Sequence, residues 1–159
     1  MKLKINDRIP NSKVFILNAN GPSSFELEKL FKNRKILLVS VPGAFTPTCA
    51  LDHIPGYVKY YDEFVTYGID ELYVIAVNDP FVMDAWIKSY KSTEIKYISD
   101  ATKSFMKDSG FSMDLSSIGL GERLSRFAML IEDCVVRKIF DEEGGGLDIS
   151  KAENVIKLI

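Results

Sequence analysis

The sequence predicts an α/β domain built on a mixed sheet. Three observations carry that assignment. Two near-continuous apolar runs of strand length, Ile36–Val41 and Leu72–Val77, each stop at a turn signal and are each followed by a helical pattern. Late in the chain, Phe127–Ile131 and Val135–Phe140 flank Glu132-Asp133-Cys134, which predicts a hairpin and so antiparallel strands in the same sheet. The chain has 159 residues, 47% of them hydrophobic, which suits one domain over 1–159 with one sizeable core.

The elements follow in order. Ile36–Val41 is apolar at nearly every position, as a central strand covered on both faces must be, and ends at Pro42-Gly43. Thr48 to about Tyr67 carries Leu51, Ile54, Val58, Tyr61 and Val65 at spacings of three or four. That spacing predicts one long helix, interrupted and so bent or loosened at Pro55-Gly56 and stopped at Gly68. Leu72–Val77 is the second buried strand, closed by Asn78-Asp79-Pro80. Asp79 is placed to cap, and Pro80 to begin, a helix over about Phe81–Tyr90. Tyr97-Ile98 predicts a short strand, followed by Asp100 and a helix to Asp108. After the hairpin, a last helix is expected from Ser150 or Lys151 to Ile159. Two strand–helix units, then a hairpin and a terminal helix, is the order of a thioredoxin-like sheet.

Composition removes several classes. Lys plus Arg total 20 and Asp plus Glu 22, a net charge of −2, without the basic excess that nucleic-acid binding requires. The basic residues are interspersed with acidic ones and read as a solvated surface. Two cysteines are too few for a disulfide scaffold or a four-cysteine zinc site, but enough for a reactive thiol. No span has the run of about eighteen apolar residues needed to cross a membrane. Met1–Asp7 lacks the apolar core of a secretory signal, so the expected location is cytoplasmic, or organellar if a targeting presequence has been removed. Gly119-Leu120-Gly121 and Gly144-Gly145-Gly146 read as turns, because neither sits between a buried strand and a helix at nucleotide-binding spacing.

Chemistry concentrates at Val41-Pro42-Gly43-Ala44-Phe45-Thr46-Pro47-Thr48-Cys49, where a strand end meets a helix start. In open α/β sheets ligands bind at that edge. Cys49 falls in the first helical turn, where unpaired N–H groups favour a thiolate. Thr48 is a candidate cap, and Thr46 can present its hydroxyl to whatever Cys49 attacks. The alternative is a buried structural cysteine. His53, the only histidine, lies four residues on and shares a helical face with Cys49. A metal site from Cys49, His53 and distant Cys134 is a poor set, so no metal or cofactor is expected. A Cys–His nucleophilic pair or a histidine packed near the site are the other readings.

Pro42-Gly43-Ala44-Phe45-Thr46-Pro47-Thr48-Cys49 resembles the active-site segment of the type-5 peroxiredoxins, thiol peroxidases on a thioredoxin-like fold. Pro42, Thr46 and Cys49 match the family's Pro-x3-Thr-x2-Cys motif. Arg123-Leu124-Ser125-Arg126-Phe127 resembles the stretch bearing the family's catalytic arginine, which falls on Arg126. His53-Ile54-Pro55-Gly56, Val77-Asn78-Asp79 and Gly144-Gly145-Gly146-Leu147 match as well, so the resemblance runs from about residue 5 to the C-terminus. It implies reduction of hydrogen peroxide and alkyl hydroperoxides by a Cys49 thiolate, leaving a sulfenic acid. Thr46 O–H, the Cys49 N–H and the Arg126 fork are then the groups that stabilise charge on the breaking O–O bond. Pro42 shields the sulfenic acid. The resemblance also implies an antiparallel homodimer around the edge that holds Phe45, Phe81 and Trp86. Plain core packing is the other reading of Trp86.

Many members of that family resolve the sulfenic acid with a second cysteine after the glycine loop. Here that position is Ile149. Cys134, read as a half-buried turn residue, is expected on the order of 20 Å from the site, if the strand from Arg126 runs straight to the hairpin tip. A disulfide needs Cα atoms within about 7 Å. A one-cysteine cycle is therefore expected, with glutathione and glutaredoxin, or thioredoxin, as reductant. Two rivals are a thiol–disulfide oxidoreductase and a binding module on the same fold. The first lacks Cys-x-x-Cys, since the residue three after Cys49 is Asp52. The second gives no reason for Pro42, Thr46, Cys49 and Arg126 to be kept together.

Overall fold

In the computed structural model, which describes residues 1–92 and 94–159, the buried runs form the middle of a mixed sheet. Its strands are β1 (Lys13–Asn18), β2 (Gly21–Glu26), β3 (Lys35–Ser40), β4 (Glu71–Ala76), β5 (Lys96–Ser99), β8 (Phe127–Glu132) and β9 (Val135–Asp141), in the order β2-β1-β5-β4-β3-β8-β9. β3 pairs in parallel with β4, Val39 opposite Val74, and antiparallel with β8, Val39 opposite Ala128. β6 (Ser112–Leu115) and β7 (Gly121–Leu124) form a separate two-stranded ribbon. The expected mixed thioredoxin-like sheet is the observed one.

Alternation along the central strands divides the core. Leu37 and Val39 of β3 and Leu72 and Val74 of β4 face a cluster that also holds Tyr57, Phe64, Trp86 and Cys49. Ile36, Leu38, Tyr73 and Ile75 face a second cluster with Leu27, Phe31, Phe105 and Cys134. Successive strand residues point to opposite faces, so the sheet lies between the two cysteines.

Between β3 and β4 the expected single helix is three pieces: a π-helical turn over Thr48–His53, α2 (Ile54–Lys59) and α3 (Tyr61–Thr66). Pro55 marks a loosening of the helix rather than a bend. It lies in the first turn of α2, where a missing N–H costs nothing, and the turn before it is widened, with Ile54 N–H donating to the Cys49 carbonyl. The bend falls at Tyr60 instead (φ −96°, ψ 8°). Gly68, at φ +90°, ends the segment as expected. Thr48 is not the cap: Pro47 holds that position without a side-chain bond.

Asp79 caps α4 (Pro80–Lys88), its Oδ1 accepting from Val82 N at 2.9 Å. α1 (Leu27–Phe31) follows β2. α5 (Ser104–Ser109) begins later than expected, and Asp100 reaches forward to accept from the amides of Phe105 and Met106. The last helix is only α6 (Ala152–Val155): Ser150 is drawn into the loop before it, and residues 156–158 form turns instead of continuing it. No helix among the described residues is long and apolar enough to cross a membrane.

Candidate active site

The loop after β3 is tethered from the end of neighbouring β4 and from the separate β6–β7 ribbon. Asn78, just beyond β4, accepts from Ala44 N at 2.8 Å. Arg123 of β7 donates through Nη1 to the Pro42 carbonyl at 3.1 Å and through Nε to Leu120 O at 2.8 Å. Gly43 is required by this clamp: a Cβ there would lie 2.9 Å from Arg123 Nη1 and 3.1 Å from Thr46 Cγ2. Phe45 is held in the left-handed region at φ 59°, a strained setting for a bulky residue. The Thr46 hydroxyl donates to Gly43 O at 2.7 Å. Its one proton is thus engaged, and its lone pairs are what it offers a ligand. The expected O–H donor at Thr46 becomes an acceptor.

Cys49, 1% exposed, sits in the π-helical turn. Arg126, between β7 and β8, is 2% exposed, and a buried cation needs every donor matched. Its Nη2 donates to Cys49 Sγ at 3.2 Å and its Nη1 bonds His53 Nδ1 at 2.8 Å. Its Nε donates to Gly145 O at 3.3 Å, and its backbone N–H to Gly144 O at 2.9 Å.

The guanidinium has no acceptor, so His53 Nδ1 must be unprotonated and Nε2 must carry the ring proton. That proton goes to the Ser150 carbonyl at 3.1 Å, which also accepts from Tyr57 Oη. Burial, and then the Arg126 cation, push the His53 pKa down to about 3. His53 is therefore a neutral acceptor that orients Arg126, the packed-histidine reading with a defined partner. It makes no bond to Cys49, as a Cys–His nucleophilic pair requires.

Pro42, Thr46, Cys49 and Arg126 line one cavity of about 470 Å³. Met113 and Leu115 of β6, together with Ile118 and Leu120, form its apolar wall. The four residues singled out in the sequence are thus brought together. The wall was missed because β6 and β7 are short; the alternation Met113-Asp114-Leu115 was the available signal. Gly145 and Ser150 were also missed, since each acts through its backbone carbonyl, and so was Arg123, whose guanidinium grips the carbonyls of Pro42 and Leu120 rather than a side chain. A second cavity of about 520 Å³, lined in part by Tyr73, Asp84 and Tyr97, shares no residue with this one and holds no cysteine.

Cys134 is fully buried, not half-buried. Asp133 and Cys134 form the two-residue hairpin loop, with φ of 46° and 66°, the mirror-image turn that matches strand twist. That geometry turns the thiol inward, against the Glu28 carbonyl at 3.8 Å. Burial pushes the Cys134 thiol pKa up. Cys49 and Cys134 lie on opposite faces of the sheet, and both are free.

Residues 4–156 match the Redoxin family. Peroxiredoxin-2B of Arabidopsis thaliana is 34% identical over 159 residues, covering 99% of this chain and 98% of its own. Among solved structures, the Plasmodium falciparum antioxidant protein, a 1-Cys peroxiredoxin, is 41% identical with a TM-score of 0.91, covering 96% of each chain. Reduced Prx3 of Vibrio vulnificus in complex with hydrogen peroxide is 34% identical with a TM-score of 0.93, covering 98% of each chain.

Proposed function

Since the chain belongs to the Redoxin family and within it is a peroxiredoxin, a thiol-dependent peroxidase of antioxidant function, we propose that Cys49 is its peroxidatic thiol, served by Arg126, Thr46 and Pro42. The observation that carries this is the 3.2 Å contact from the Arg126 guanidinium to Cys49 Sγ inside a cavity. The guanidinium favours the thiolate, which is the nucleophile. Sulfur attacks the terminal peroxide oxygen: the S–O bond forms, the O–O bond breaks, and alkoxide or hydroxide leaves to take up a proton. Sulfur is oxidised by two electrons to the sulfenic acid and the peroxide is reduced. Arg126 meets the charge developing on the oxygens, while Thr46 Oγ accepts a hydrogen bond from the peroxide O–H and fixes its approach. Buried Pro42 covers the sulfur side of the cavity.

Hydrogen peroxide and alkyl hydroperoxides are the proposed substrates. The apolar wall of Met113, Leu115, Ile118 and Leu120 favours an alkyl tail, and the Vibrio vulnificus relative was crystallised with hydrogen peroxide. The cycle we propose is of the one-cysteine kind. In support, Cys134 lies across the sheet, and one 41% identical relative is a 1-Cys peroxiredoxin. An external thiol then displaces water from the sulfenic acid, forming a mixed disulfide, and a second thiol releases Cys49. Glutathione with glutaredoxin is the first candidate and thioredoxin the second. Exposed Phe45 and Phe81 near the site edge are compatible with a homodimer built there, whereas Trp86 is 1% exposed and packs in the core.

The test is alkyl hydroperoxide consumption by the intact protein and by Cys49→Ser, with glutathione and glutaredoxin supplied. Sustained turnover lost only in Cys49→Ser supports the whole proposal. One stoichiometric turnover keeps Cys49 and rejects that reductant. No Cys49-dependent consumption rejects the assignment of Cys49.

A further inference from the structure

Glu142, immediately after β9, is a charged residue that the chemistry above does not use. Its Oε2 accepts from Asp148 N at 2.7 Å, Ser150 N at 2.8 Å and Ser150 Oγ at 2.7 Å. Partial burial pushes its pKa up, but the donors from Asp148, Ser150 and Ile149 outweigh this and the net displacement is downward. Its own N–H donates to the Arg126 carbonyl at 3.1 Å. One carboxylate oxygen thus ties residue 142 to residues 148 and 150 and closes the intervening segment into a loop.

The carbonyls of that loop point at the active-site arginine. Gly144 O takes the Arg126 backbone N–H and Gly145 O takes its Nε. Ser150 O takes the Nε2 proton of His53, whose other nitrogen receives Arg126 Nη1. Apart from Cys49, each guanidinium partner is therefore loop backbone or a side chain that the loop holds. We propose that Glu142 is a positioning residue for peroxide reduction: its carboxylate closes the loop, and the loop aims Arg126 at Cys49. The proposal rests on the assignment of Cys49 and Arg126 above.

The three bonds converge on one oxygen, so an amide oxygen at the same place can replace the carboxylate. Full-length Glu142→Ala and Glu142→Gln are compared with the parent in three measurements. These are the pH dependence of iodoacetamide alkylation at Cys49, read by mass spectrometry, the single-turnover rate with hydrogen peroxide, and urea unfolding. In Glu142→Ala the alkylation midpoint is expected to move to higher pH and the peroxide rate to fall about tenfold or more, as misplaced catalytic groups do. Glu142→Gln is expected to stay within about threefold of the parent rate, since the acceptor survives. A Glu142→Ala protein that loses stability but keeps the parent midpoint and rate overturns the proposal. So does a Glu142→Gln protein as impaired as Glu142→Ala. Ser150→Ala removes one of the three bonds and decides the matter if Glu142→Ala does not fold; a parent-like midpoint and rate there also overturn it. A parent that fails to react with peroxide sinks the assignment of Cys49, while the alkylation midpoints still decide whether Glu142 sets the Arg126–Cys49 alignment.

Discussion

Arg126→Lys keeps the positive charge and removes the fork. In the native site three nitrogens act at once: Nη2 on Cys49 Sγ at 3.2 Å, Nη1 on His53 Nδ1 at 2.8 Å and Nε on Gly145 O at 3.3 Å. A lysine ammonium is a point charge on a flexible stem and does not hold that planar spread. Turned toward the sulfur, it leaves a buried imidazole nitrogen without its donor; turned toward His53, it leaves the sulfur without its cation. Losing one charge-assisted bond in a buried site costs about 1.5–3 kcal/mol. If the lost contact is the one to sulfur and its reacting oxygens, the rate of peroxide reduction falls about 10- to 150-fold. The assay is loss of the free Cys49 thiol in a single turnover under excess hydrogen peroxide, quenched and read by mass spectrometry. Arg126→Met, which removes the charge as well, is expected to be slower still. Arg126→Lys at a rate within about twofold of the parent would refute the claim that fork geometry, rather than charge alone, activates the site.

Three further predictions follow from the same contacts. Thr46→Val removes the hydroxyl and is expected to slow peroxide reduction about 100-fold, whereas Thr46→Ser stays near the parent; equal rates for Val and Ser would refute the role given to the oxygen. Cys134→Ala should keep full turnover with added thiol and lose about 1 kcal/mol of stability in urea unfolding, the cost of a small buried group; lost turnover would place Cys134 in the cycle. The third concerns pH. His53 is held at about 3 against an ordinary 6.5, and burial raises Asp100 to about 6 from 3.8 despite its two amide donors. Between 6.5 and 6 only the unfolded His53 gains a proton, so its contribution weakens stability as pH falls, by up to ~1.4 kcal/mol per unit. Between 6 and 3.8 the folded Asp100 binds a proton that the unfolded one lacks, and the two slopes oppose. Relative to the parent across that lower window, Asp100→Asn should therefore steepen the loss of stability on acidification, and His53→Gln should lessen or reverse it, in urea unfolding at stepped pH.

Much of this was legible in the chain, and the exceptions have physical causes. The central strands were readable because a strand covered on both faces has to be apolar throughout, as Ile36–Val41 and Leu72–Val77 are. The β8–β9 hairpin was readable from its flanks but not from its loop: Asp133-Cys134 is not a preferred mirror-turn pair, and nothing local indicates that the thiol turns inward. The β1–β2 hairpin was missed because Gly21–Glu26 is half polar and lies at the sheet edge. The helix after Cys49 was misread because residue spacing reports a period near 3.6 and is blind to a single widened turn. At the site, side chains were easier to name than their supports. Pro42, Thr46, Cys49 and Arg126 are residue types that chemistry selects. The groups that hold Arg126 are largely the carbonyls of Gly144, Gly145 and Ser150, and a carbonyl carries no residue identity.

The fastening of the 142–150 loop bears on how the sulfenic acid is removed. Residue 149 is held from both sides, because Asp148 N and Ser150 N both donate to the Glu142 carboxylate. Moving Ser150 withdraws the carbonyl that fixes the His53 ring, and His53 in turn fixes Arg126. Any movement of the loop that breaks these bonds would therefore loosen the arginine that the next peroxide needs. With Ile149 at that position and Cys134 across the sheet, the proposed one-cysteine cycle asks no such movement of the loop. In the cycle proposed above it stays closed while an external thiol enters the cavity beside Thr46 and Arg126. On the one-cysteine cycle proposed above, the loop that positions the arginine serves as a strut and is not also the carrier of a thiol.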